Sequence, residues 1–151
     1  MPISLKEAWD FFSSPNNLRE ITPSFMDFNI LSDVPEEMYP GLIISYSVRP
    51  FGNFSITWVS EITQMRNLDY FIDEQRFGPY KFWHHLHHFK ELPTGTLVTD
   101  VVNYGMPFGM IGNMGHSLFL KHQLNRIFDY RGDTLANLFG SSAIELQPSK
   151  L

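Results

Sequence analysis

Asp73-Glu-Gln-Arg-Phe-Gly-Pro-Tyr-Lys-Phe-Trp-His-His-Leu-His-His-Phe89 decides how the chain reads. The stretch predicts two strands that meet at Gly78-Pro79. Side chains alternate sides along a strand. The second strand therefore sets Trp83, His85, His87 and Phe89 on one face. An ordinary core face is aliphatic, and an ordinary solvent face carries Lys, Glu and Thr. A row of aromatic, imidazole, imidazole and aromatic side chains suits the wall of a ligand cavity.

Outward from this hairpin, a period of two runs from Phe28 to Tyr104. Phe28 and Ile30 begin a strand, and Pro35 to Gly41 is a turn. Ile43 to Val48 is a strand ending near Pro50. Phe54, Ile56, Trp58 and Ile62 share one face of a long strand. Tyr70 to Phe77 and Tyr80 to Glu91 are the hairpin, and Thr96 to Tyr104 follows the turn at Pro93-Thr-Gly95. Consecutive strands with short turns predict an antiparallel meander. Upstream, Ser4 and Glu7 form a capping-box pattern, with Leu5, Ala8, Trp9 and Phe12 at helical spacing up to Pro15. A second short helix is expected over Asn16 to Ile21. Downstream, Leu120, Leu124, Ile127, Phe128, Leu135, Leu138 and Phe139 form a helical stripe. A helix from His116 to Phe139 would be about 36 Å long. Residues 1–140 read as one domain and 141–151 as a flexible tail.

The 151 residues suffice for one sizeable core. Aromatics make up 15% and charged residues only 18%, with Phe alone contributing 14. That excludes a disordered chain and leaves more large apolar side chains than a small core needs. An internal pocket or an apolar partner surface would use them. Net charge is −5 and no basic cluster interleaves with the aromatics, so a nucleic-acid groove is not expected. The absence of cysteine removes disulfides, thiolate metal sites and Cys nucleophiles, and is compatible with a reducing cytoplasm. Every apolar run falls short of a membrane span, so no stable membrane insertion is expected.

The chain resembles the SRPBCC superfamily, also called START-like or Bet v 1-like, and in particular its bacterial polyketide cyclase/dehydrase-like ligand-binding members. The residues that carry the resemblance are Pro2-Ile-Ser with Ala8-Trp9-Asp-Phe-Phe12, Asn17-Leu18 with Ile21-Thr-Pro23, Trp58-Val-Ser-Glu-Ile62, Asp73-Glu-Gln-Arg76 with Gly78-Pro-Tyr80, the Trp83/His85/His87/Phe89 row, and Ile127-Phe-Asp-Tyr-Arg131. The resemblance implies an α+β helix-grip fold: a curved antiparallel sheet wrapped around a long C-terminal helix, with two short helices near the N-terminus. Family members usually have a strand before the first helix, where this chain begins with Met1. Unpaired sheet edges would then favour swapping or a homodimer.

His84, His85, His87 and His88 invite a metal reading, but only His85 and His87 share a face. A catalytic zinc site needs three protein ligands on one side, and Asp73, Asp100 or His116 would have to complete it. No metal and no cofactor is expected. Asp73, Gln75, Asp100 and Tyr104 lie in strands beside the His pair and could share its protons. They would either orient a ligand or perform acid/base chemistry. Arg131 sits by the apolar helix stripe, where it would clamp a ligand carboxylate or pair with Asp73, Glu74 or Asp100. Gly109, Gly112 and Gly115 lack the phosphate-loop pattern. Phe108, Met110 and Met114 beside them suit a flexible apolar lip over a cavity mouth.

The expected function is binding of a small hydrophobic or amphipathic molecule, such as a lipid, polyketide-like or aromatic compound. Asp73, Gln75, Trp83, His85, His87, Phe89, Asp100, Tyr104, Phe108, Met110, Met114, Phe128 and Arg131 are the expected ligand contacts. One alternative is a cyclase/dehydratase-type enzyme using His85 with Asp100 or Tyr104. Another is a protein-interaction module presenting Phe82 and Leu86.

Overall fold

The computed structural model describes residues 1–51, 54–105, 115–140 and 147–150. Ser4 caps helix α1 (Leu5–Phe12). Its Oγ accepts from the Glu7 N–H at 3.2 Å, and the Glu7 carboxylate accepts from the Ser4 N–H at 2.9 Å. Two donors that a helix start leaves orphaned are thus satisfied. The buried face of α1 is Ala8, Trp9 and Phe12. The Trp9 and Phe12 rings meet the Phe89 ring edge-on, at 5.3 and 5.5 Å. Ser4→Ala removes the cap and is expected to cost about 1 kcal/mol. The check is a lower urea midpoint with an unchanged denaturant slope.

Seven strands follow in one sheet: β1 (Asn29–Ile30), β2 (Ile43–Phe51), β3 (Phe54–Arg66), β4 (Tyr70–Phe77), β5 (Phe82–Leu92), β6 (Gly95–Gly105) and β7 (Gln147–Lys150). They lie side by side in sequence order. Neighbours from β1 to β6 are antiparallel, because short turns can join only antiparallel strands. Between β6 and β7 comes helix α2 (Gly115–Phe139). Leu124, Phe128, Arg131 and Leu135 are buried, one stripe at helical spacing. The Phe128 ring stands edge-on to His85 at 5.9 Å. The Phe139 ring meets Phe11 at 5.0 Å.

This architecture corrects the helix-grip expectation in three respects. The sheet is open, with β1 and β7 at its ends, and does not close around α2. It is also not wholly antiparallel, because β7 pairs parallel with Val101–Tyr104 of β6. Finally, there is one short N-terminal α-helix, not two. Where the second was expected, over Asn16 to Ile21, there is a 3-10 turn, Pro15–Arg19, and another, Ser24–Met26, follows Pro23. Pro15 and Pro23 are too close together to leave a stable α-helix between them.

The expected flexible tail likewise contributes β7. The expectation of an unpaired edge does not hold at β6. The Met1 carbonyl accepts from Thr96 N–H at 2.8 Å, and Thr96 Oγ1 donates to the Ile3 carbonyl at 2.9 Å. Met1 approaches so closely that a Cβ on Gly95 (φ 141°) would collide with its carbonyl oxygen. One chain end thus covers the start of β6 and the other covers its finish. Among the described residues, no helix is long and apolar enough to cross a membrane.

Candidate functional site

Strand register assembles the polar cluster. Asp73 of β4 lies directly across from His85 of β5, and His87 directly across from Asp100 of β6. Same-face neighbours on paired strands stand close enough to touch. Trp83, His85, His87 and Phe89 all point inward and are buried, as the period of two requires. Two imidazoles and two carboxylates therefore meet on the inner face. His85 Nδ1 is 3.2 Å from Asp73 Oδ2, and His87 Nε2 is 3.3 Å from the same oxygen. On the far side, His85 Nε2 and His87 Nδ1 lie 3.3 and 2.6 Å from Asp100 Oδ1. The two rings tilt against each other with centroids 3.9 Å apart. Arg131 Nη1 approaches Asp100 Oδ2 at 3.9 Å.

The electrostatics follow from burial and proximity. Burial alone would lower the His85 pKa, but Asp73 and Asp100 outweigh it and push the imidazole up to about 9. Burial opposes ionisation of Asp73 and Asp100 too, yet the facing imidazoles hold both carboxyls below their ordinary range. Burial, reinforced by Asp73, raises the phenol of Tyr46. Burial, reinforced by Tyr104, raises that of Tyr80. Both remain neutral phenols at ordinary pH.

Beside the cluster lies a cavity of about 160 Å³. Asp73, Trp83, His85, His87, Phe128 and Arg131 line it, together with aromatic and aliphatic side chains from β2, β3, the 3-10 turns and α2. Four expected contacts are placed elsewhere. Gln75 donates its amide to the Tyr80 carbonyl at 2.7 Å and accepts from the Tyr80 N–H at 3.2 Å, closing the turn at Gly78. Phe89 packs under α1. Asp100 stands behind the imidazoles, and Tyr104 behind Tyr80 at 6.1 Å between rings. Phe108, Met110 and Met114 lie outside the described residues. On the opposite face of β5, His88 is half-buried near Asp69, and His84 is half-buried against the exposed Phe82 ring. Leu86 beside them is half-buried.

Sequence reasoning missed the wall built by β2 and β3. Ile44, Tyr46 and Val48 alternate inward on β2, as do Trp58, Ser60 and Ile62 on β3. Ser60 organises this wall. Its Oγ lies 2.6 Å from the Tyr46 hydroxyl and accepts from Trp58 Nε1 at 3.1 Å. The alternation was visible, but a serine between Trp58 and Ile62 reads as a gap in an apolar face. Around the cavity, Trp83 Nε1, Arg131 Nε and Arg131 Nη1 are among the buried groups left without a hydrogen-bond partner among the described residues. Buried donors of this kind ordinarily have an acceptor.

No protein-family model matches the chain, and no curated protein matches it by sequence. Solved structures do share its fold. Protein CV1439 from Chromobacterium violaceum superposes with a TM-score of 0.64 at 10% identity, covering 94% of this chain and 93% of that one. Protein Ms6760 from Mycobacterium smegmatis gives 0.61 at 13% identity, covering 91% and 85%. The nucleoside-diphosphate sugar epimerase from Corynebacterium glutamicum gives 0.54 at 21% identity. It covers 91% of this chain but only 29% of the epimerase. Identities this low show the shared fold and carry no activity across.

Proposed function

We propose that the protein binds a small apolar or amphipathic molecule in the chamber between the sheet and α2. The polar end of the ligand lies against Asp73, His85, His87 and Arg131. The observation that supports this reading is an apolar cavity of about 160 Å³ with one ionisable wall. A cavity of that order accepts a single six-membered ring. Of the lipid, polyketide-like or aromatic compounds expected from sequence, the size favours a one-ring aromatic or a short chain. Trp83 Nε1, Arg131 Nε and Arg131 Nη1 have no hydrogen-bond partner among the described residues, Nη1 meeting Asp100 only at ion-pair distance, so the ligand carries an acceptor such as a carboxylate or phenolic oxygen. The reading retains the SRPBCC kinship, which rests on the sequence motifs, and a cytoplasmic setting, which rests on the missing cysteines.

A second reading follows from His85 lying between two carboxylates. With a pKa pushed up to about 9, His85 is protonated at neutral pH and would serve as a general acid, not a base. His85→Gln would then abolish turnover while the ligand still binds.

Binding is tested by thermal shift and calorimetry with single-ring carboxylic acids, phenols and short-chain fatty acids. At least one class is expected to raise Tm with 1:1 stoichiometry. Filling the chamber with Ile44→Trp is expected to weaken binding by about tenfold or more, and to cost about 1–3 kcal/mol of stability through overpacking. Leu124→Phe repeats the comparison from the helix side. Binding indifferent to both fillings would place the ligand elsewhere and overturn the proposal.

A further inference from the structure

Of the residues that would have to complete a metal site with His85 and His87, Asp73 is the one the structure brings to both imidazoles. Asp73 Oδ2, a ring nitrogen of His85 and a ring nitrogen of His87 all lie within 4.8 Å of one another. The oxygen stands 3.2 Å from His85 Nδ1 and 3.3 Å from His87 Nε2. Ligand atoms about 2.1 Å from a tetrahedral ion lie about 3.4 Å apart. The two oxygen–nitrogen separations are of the size a shared tetrahedral ion sets.

Hydrogen bonding does not account for the arrangement equally well. Of the four imidazole–carboxylate contacts, the one from His87 Nε2 to Asp73 has hydrogen-bond geometry. His85 Nε2, His87 Nδ1 and Asp100 Oδ1 are buried without an aligned partner. With an ion on Asp73 Oδ2, His85 Nδ1 and His87 Nε2, those two remaining nitrogens carry the protons. Both lie near Asp100 Oδ1, at 3.3 and 2.6 Å, where a small turn of the rings would align them. A carboxylate behind metal-bound histidines is the usual way their tautomers are fixed.

We infer that Asp73, His85 and His87 form a binding site for one divalent first-row transition ion of the Zn²⁺, Co²⁺ or Fe²⁺ class, with a coordination position open to the apolar chamber. Two imidazoles and one carboxylate are the donor set such ions take, whereas Mg²⁺ and Ca²⁺ prefer oxygen. The inference goes beyond ligand binding and does not need it. Where both hold, an oxygen on the chamber ligand completes the coordination.

The test is equilibrium dialysis of EDTA-treated full-length protein against Zn²⁺, with Co²⁺ as a spectroscopic probe. The expected result is about one ion per chain, with visible Co²⁺ bands of a low-coordinate nitrogen/oxygen site. Asp73→Asn keeps the shape of the side chain and should abolish uptake. Asp100→Asn should weaken it by about 10–100-fold by releasing the tautomers. The His84→Gln/His88→Gln double variant, altered on the opposite face, should bind as well as the unaltered protein. NMR of the unaltered protein asks the same question without a variant: Zn²⁺ should shift the His85 and His87 ring signals and spare those of His84 and His88. No uptake, or uptake that follows His84 and His88, overturns the inference. The ligand panel run on EDTA-treated protein is read separately, so failure of the metal site and failure of the chamber are distinguishable.

Discussion

Replacing Asp100 by alanine is expected to destabilise the protein by about 3–5 kcal/mol, the usual cost of removing one member from a buried charge cluster. Asp100 is 7% exposed and contacts both imidazoles and the Arg131 guanidinium. Without it, Arg131 is buried with no other ion-pair partner among the described residues. The loss would be a large share of the roughly 5–15 kcal/mol that holds an ordinary domain together. Chemical denaturation of the metal-free protein measures it. Asp100→Leu combined with Arg131→Met removes charge on both sides and should recover much of the loss. A single-variant cost under about 1 kcal/mol would mean that the cluster is solvated and its burial misread.

The second large effect is on pH. His85 is held above its ordinary value of 6.5, at about 9, by Asp73 and Asp100 against the opposing effect of burial. The folded chain therefore binds this proton more tightly than the unfolded chain. The stability it lends is complete below about pH 6.5 and is lost as pH rises through about 9. The carboxylates run the other way. Asp73 and Asp100 lie below their ordinary 3.8 when folded, so their contribution is present above about pH 4 and lost on acidification. Stability of the metal-free protein should peak between these limits. It should fall by a few kcal/mol between pH 6 and pH 9.5, given about 1.4 kcal/mol per pKa unit. Urea midpoints across that range are the measurement. The groups facing His85 are Asp73, Asp100, His87, Trp83 and Phe128. The alkaline fall should disappear in His85→Gln. A flat profile in the unaltered protein would contradict the charged state assigned to His85.

What could be read from sequence was what local rules decide. Tyr70 to Phe77 is a strand with the bounds its alternation gives. The inward row on β5 is the one the period of two requires. Asp73 and Asp100 reach the imidazoles because antiparallel register fixes who stands opposite whom.

What could not be read depends on contacts distant in sequence. Gln75 has the same parity as Asp73, yet the turn at Gly78 claims its amide. Phe89 has the same parity as His87, but α1 covers that end of the strand, so its ring is core. Gln147-Pro-Ser-Lys150 has neither alternation nor apolar content, and it forms a strand only because β6 offers it an edge. The second N-terminal helix failed for a local reason that was in plain view, since prolines 15 and 23 leave too few residues between them. The helix-grip outline came from family resemblance, and the open sheet with its parallel last strand departs from it.

A chamber that holds a small molecule against an ionisable wall should keep that molecule through purification. Native mass spectrometry of the protein purified from its own host tests it most directly, with any retained mass identified after release. The expected result is a single-ring or short-chain compound bearing an acceptor oxygen, at up to one per chain, and its loss in Ile44→Trp. A protein that carries nothing and takes up none of the candidate compounds, with the chamber shown solidly packed and His85 and His87 turned to bulk water, would contradict it.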